Sequence, residues 1–145
     1  MVLAASMFGP IDAVLGDQIE HVLFALALVN LVARALAHRS TVAQAEDGVE
    51  AMKRHPLLEG SNMLLVLGAF YYTTHHYHAG IVISTLVLGM VLTDFFEFEA
   101  RKVEARQGFP IERPKGAMVA SLLVVLYAGF LSVFFVIEPF WSQIV

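Results

Sequence analysis

Ile81-Val-Ile-Ser-Thr-Leu-Val-Leu-Gly-Met-Val-Leu-Thr93 runs without a break into Asp94-Phe-Phe-Glu-Phe-Glu-Ala-Arg-Lys-Val-Glu-Ala-Arg106. The first half is apolar and β-branched, a composition suited to a helix inside lipid. The second half is charged, yet nothing interrupts the helical pattern before Gly108, a natural C-cap, and Pro110, which enforces a stop. This reading predicts a helix that crosses a membrane over 79–97 and projects beyond it as a polar extension to about residue 107. Glu97 and Arg101, four apart, and Glu99 and Lys102, three apart, form attractive pairs on that extension.

Three further apolar stretches, at about 13–37, 57–74 and 116–138, complete a pattern of four spans. The first is continuous over Val22–Ala33 except for Asn30, and Arg34, His38 and Arg39 mark its exit into the headgroups. Ser40 and Thr41 are expected to break it, and Val42–Arg54 to form a short surface helix interrupted at Gly48. Pro56 suits the first turn of the second span, with Glu59 favourable near its N-terminus. The far end of that span, Phe70 to His78, is aromatic and polar like a headgroup-level belt, and Gly80 permits a tight turn into the third span. Pro114 opens the fourth span and Glu138-Pro139 ends it, with Phe140 and Trp141 as an interfacial anchor. Met1–Pro10 reads as an interfacial lead-in with no signal-peptide pattern.

Composition agrees. The 145 residues are 58% apolar and 15% charged, where a soluble domain carries about 25% charge. The expected architecture is all-α, a single four-helix membrane bundle over 1–145 with no appended soluble domain. All nine Lys and Arg fall in two segments, Arg34–Arg54 at the end of span 1 and beyond it, and Arg101–Lys115 after span 3. Those segments should face the cytoplasm, leaving both termini and the His75–His78 turn outside a cell membrane. Cysteine is absent, which excludes disulfides, thiolate chemistry and Cys-ligated metals within the chain. No basic stripe points to nucleic acid.

Two constellations carry chemistry. On the outer side the topology gathers Glu20, His21, His75, His76, His78 and Glu138. Imidazole with carboxylate suits a transition metal, and His21 facing His75 or His76 suits haem. The plainer reading is a polar aromatic turn at the interface. Near the inner side, Asp94 lies about 21 Å along the third span, still within a hydrocarbon layer of about 30 Å. Arg34 reaches a similar depth, and an Arg34–Asp94 pair would reduce the cost of burying either charge. Glu97 is expected to share that pair or to reach Lys115 or Arg39. Asn30 is expected to hydrogen-bond across a helix interface. Phosphate-binding loops, dinucleotide fingerprints and nucleophile elbows are missing, so no residue is assigned a catalytic role.

The segment Asp94–Arg106, with Ile111-Glu-Arg-Pro-Lys115 behind it and Leu31–Ser40 and Phe70-Tyr-Tyr72 before it, resembles an uncharacterised family of small four-span membrane proteins from halophilic archaea. The resemblance covers most of the chain. It implies a cell-membrane location and carries over no activity or binding residues. The expected role is a non-catalytic integral membrane subunit of a larger assembly, docking through Glu97, Arg101, Lys102 and Arg106. Alternatives are a haem- or metal-binding redox protein using the outer histidines, and a homo-oligomeric channel or transporter using Asp94 and Arg34. Expected partners are other membrane subunits or further copies of the chain, besides the bilayer.

Overall fold

The computed structural model describes residues 9–144, with side chains described except at 135, 136, 139–142 and 144. Met1–Phe8 of the lead-in and the side chains of Phe140 and Trp141 therefore lie outside the described residues. The elements are α1 (Gly9–Leu15), α2 (Ile19–Ala45), a 3₁₀ turn (Val49–Ala51), α3 (Pro56–His75), α4 (Tyr77–Arg106) and α5 (Lys115–Ile144). Helix α2 packs on α3 and α5, and α4 packs on α3 and α5, so α2 and α4 face each other across the diagonal of a square bundle. The chain is all-α and multi-pass.

Among the described residues, three helices are long and apolar enough to cross a membrane: Ile19–Ala45, Tyr77–Arg106 and the Lys115–Phe134 part of α5. Helix α3 has 20 residues, but Glu59, Ser61 and Asn62 at one end and Tyr71, Tyr72, Thr73 and Thr74 at the other dilute its apolar run.

Several boundaries differ from the sequence reading. The first span does not run unbroken from about residue 13, because the chain turns at Gly16–Gln18 between α1 and α2. A Cβ on Gly16 would sit 2.7 Å from the Asp12 carbonyl oxygen, so the turn needs a glycine there. Ser40 and Thr41 do not break α2, which continues to Ala45. Thr41 is buried, and Ala43, Gln44 and Ala45 are good helix formers. Pro139 does not end α5, which runs on to Ile144. One proline removes a single backbone bond, and helices in lipid tolerate that loss.

The turn between α3 and α4 is a single residue, His76. Gly80 lies inside α4, where a Cβ would come 2.3 Å from Thr73 Cα, so its role is close packing of the two helices. Other ends follow the sequence. His55 caps α3, its Nδ1 accepting from Leu57 N–H at 3.2 Å, with Pro56 at the first position. Gly108, at φ 73°, closes α4 with a Schellman pattern: Gly108 N–H donates to Ala105 O at 3.2 Å and Phe109 N–H to Glu104 O at 2.9 Å.

The interior follows one stripe per helix. Ile19, Leu23 and Ala27 of α2 meet Leu65, Ala69 and Tyr72 of α3, Ile83, Val87 and Met90 of α4, and Val124, Ala128 and Leu131 of α5. The outward faces are also apolar: Val32, Leu67, Leu92, Leu126 and Phe130 are all more than half exposed. A water-soluble bundle would turn polar residues outward. Here the polar residues of the spans, Asn30, Arg34, Ser61, Asn62, Asp94 and Ser121, are buried instead. That inversion is what a lipid solvent requires.

Candidate functional site

The buried polar residues toward the basic end close into a ring. Arg34 of α2 holds both oxygens of Asp94 on α4: Nη1 donates to Oδ1, and Nη2 donates to Oδ2 at 2.9 Å. Asn62 Nδ2 of α3 donates to the same Asp94 Oδ2 at 2.9 Å. Asn30 Nδ2 donates to Asn62 Oδ1 at 2.6 Å and to Ser61 Oγ at 2.8 Å. Asn30 Oδ1 in turn accepts from Arg34 Nη2 at 2.9 Å, four residues along α2. Ser61 Oγ passes its own proton to Leu58 O at 3.0 Å. The side chains of Arg34 and Asp94 are each 4% exposed.

The chemistry of the members is matched at every contact of the ring, although the buried Nε of Arg34 has no hydrogen-bond partner among the described residues. A bidentate guanidinium satisfies a carboxylate with two aligned bonds. The amides serve because each offers a donor and an acceptor at once. The two amide contacts, Asn30 to Arg34 and Asn62 to Asp94, offset part of the desolvation that a buried charge pair incurs. The sequence reading placed Arg34, Asp94 and Asn30 but did not single out Ser61 or Asn62. Their signal was present, as two adjacent polar residues in an otherwise apolar stretch.

Below the ring lies a cavity of about 50 Å³ reaching Thr41, Arg54, His55, Glu97 and Arg101. Glu97 neither joins the Arg34–Asp94 pair nor reaches Lys115 or Arg39 through its side chain. Its Oε1 accepts from Gly116 N–H at 2.8 Å and its Oε2 from Arg101 Nη1 at 3.3 Å. It thereby satisfies one of the free N–H groups at the start of α5.

Arg101 is the second hub. It is 8% exposed, and its Nη1 donates to the carbonyls of Glu112 at 3.0 Å and Arg113 at 3.2 Å. Its Nη2 donates to Glu104 Oε1 at 2.8 Å, while Glu104 Oε2 accepts from Glu112 N–H at 3.1 Å. Arg101 is thus turned inward, tying the end of α4 to the connection into α5. Lys102 lies over the Phe98 ring at 5.0 Å and near Glu99 at 3.5 Å. Arg106 is exposed.

The polar residues at the opposite end of the bundle are directed at different neighbours. His21 Nδ1 is 2.6 Å from Ser132 Oγ, toward α5. His75 Nε2 lies 2.8 Å from Asp12 Oδ1, which also accepts from the Tyr71 hydroxyl. The Tyr71 bond, ahead of His75, holds the Asp12 carboxyl below its usual range. His76 Nε2 lies 3.7 Å from the buried Glu20, and His78 is exposed. His21 faces α5 while His75 and His76 face α1 and the start of α2. Among the described residues, no three His, Asp or Glu side chains are grouped so as to hold a metal ion.

No curated protein and no solved structure matches this chain. Its family does emerge, because the match extends from before α1 through the last residue. With residues 3–145 covered, this multi-pass chain belongs to the family described as a domain of unknown function, DUF7313.

Proposed function

We propose that this chain is a small, non-catalytic integral membrane subunit that docks onto a larger assembly through its charged helical projection. One observation carries the reading. Helix α4 has 30 residues, or about 45 Å, against a hydrocarbon layer of about 30 Å. Its excess length lies at the charged end, and the Arg101 and Glu104 contacts hold that end rigid. A preordered surface binds a partner with less loss of freedom than a floppy one. Lys102, Val103 and Arg106 remain on its outward side.

The same reading takes α3 as a fourth span. Its 20 residues rise about 30 Å, and its polar Ser61 and Asn62 are spent on the ring. The basic residues then face the cytoplasm and both termini lie outside a cell membrane, with a halophilic archaeal source as the resemblance implies. Between the buried Glu20 and the ring stands an apolar layer of Leu23, Ala27, Leu65, Ile83 and Val87. It supports a scaffold over an ion path along the bundle axis.

The test is native mass spectrometry of the protein extracted from its own membranes. Wild type should carry other polypeptides, and Lys102→Glu/Arg106→Glu should lose them while still inserting. Unchanged co-purification overturns the docking reading.

A further inference from the structure

Besides the ring cavity, the basic end of the bundle has a cleft of about 400 Å³ between α2 and α5. Its polar wall is Arg34, His38, Arg39 and Arg113, and no carboxylate lines it. Arg34 is neutralised by Asp94. Arg39 and Arg113 are exposed and form no ion pair among the described residues, so the cleft carries two uncompensated cations. The acids nearest to them in sequence, Glu112 beside Arg113 and Glu46 beyond Arg39, do not line the cleft, while Asp94 is held by Arg34 and Glu104 by Arg101.

The other wall is apolar. Leu31 and Ala35 of α2 and Met118 of α5 line it. They continue along the bundle into Leu28 and Leu122, both exposed on the outward face. A cation pair at the headgroup end of an apolar groove between two spans matches one chemistry: a phosphate carrying acyl or alkyl chains. A free phosphate would use the arginines and leave the groove idle. An acidic peptide would need the groove at the water side rather than along the spans.

We infer that this cleft is a binding site for one anionic phospholipid, with Arg39 and Arg113 on the headgroup phosphate and the chains along Leu31, Ala35 and Met118. His38, which also lines the cleft, supplies a further polar contact. The size falls in the range of ordinary ligand sites. The site is independent of the docking surface, since none of its residues lies on Lys102, Val103 or Arg106.

The experiment is native mass spectrometry of the detergent-purified protein titrated with phosphatidylglycerol or phosphatidylcholine. Wild type should retain one phosphatidylglycerol in preference to phosphatidylcholine. Arg39→Gln/Arg113→Gln should weaken that retention about thirtyfold, at roughly the usual gain for two basic contacts with an anionic surface. Lys53→Gln, an exposed cation on the same end but outside the cleft, should leave it unchanged. Millimolar inorganic phosphate should neither bind stably nor displace the lipid. Equal retention of the two lipids, an unaffected double variant, or displacement by inorganic phosphate alone would each overturn the assignment. Helical content and melting of the double variant are read in parallel, and loss of binding with an intact melt supports the site.

Discussion

Asn62 donates to the same Asp94 oxygen that Arg34 holds through Nη2, both at 2.9 Å. Three helices therefore converge on one carboxylate atom. Because α2 and α4 lie on the diagonal, the Arg34–Asp94 pair spans the bundle, and the Asn30–Asn62 link turns the corner through α3. The ring fixes the rotation of each helix, which apolar packing against lipid-like surfaces does weakly.

Removing one charge from the ring should therefore be far worse than removing both. Asp94→Asn or Arg34→Met is expected to destabilise the bundle by about 3–5 kcal/mol, because the remaining charge stays buried and unpaired. The double variant should lose much less than the sum. Denaturant unfolding in micelles, run as a double-mutant cycle, measures this, and additive losses would refute the coupling.

Close contact at the α3–α4 turn makes a second prediction. Gly80→Ala places a methyl 2.3 Å from Thr73 Cα, a backbone atom that cannot swing aside. It should cost about 1–3 kcal/mol in the same unfolding assay. Gly89→Ala, with nothing within 4 Å, should be neutral or mildly stabilising.

Arg101 and Lys102 are neighbours with opposite roles. Arg101→Met should free the 107–114 connection and speed its cleavage by an added protease severalfold, since three hydrogen bonds hold it to Arg101 and Glu104, and Arg101 also positions Glu104. Lys102→Met should leave cleavage unchanged. Equal protection in both variants would argue against the brace.

At the end of the bundle opposite the basic residues, Asp12 links α1 to Tyr71 and His75 of α3. Its folded-state pKa lies below the ordinary 3.8, chiefly through the Tyr71 hydrogen bond. A carboxyl depressed on folding contributes stability that is present above its unfolded value and lost as pH falls through the folded one. Docking of α1 should thus be constant from neutral pH down to the region of 3.8 and then loosen below it. Hydrogen exchange of α1 amides against pH reads this. Asp12→Asn should remove the acid transition, and a transition that survives would locate it elsewhere.

Much of this was legible in the residues. Pro56, Gly108 and Pro110 mark helix ends through local backbone chemistry, and the structure ends its helices beside them. Arg34 and Asp94 follow from depth counting, since two charges at one level inside lipid have reason to meet. The misplaced ends of α2 and α5 share a cause. Ser40, Thr41 and Pro139 are breakers in water, where a helix competes with solvation of its backbone. In a packed bundle and in lipid that competition is absent, so α2 and α5 run through them.

Hydropathy and loop charge were enough to mark the long apolar helices and to gather every Lys and Arg at one end of them, because both depend on composition summed along a segment. Which face of each helix turns inward was not readable in that way. With 58% apolar residues, inward and outward faces look alike, and periodicity has no polar side to contrast with. The same holds for His21, His75 and His76, which share one end of the bundle but are aimed at different neighbours by helix rotation. Bringing Asn62 onto Asp94, turning Arg101 inward and opening the cleft beside Arg39 and Arg113 all required the packed bundle, because each depends on the angle at which one helix meets the next.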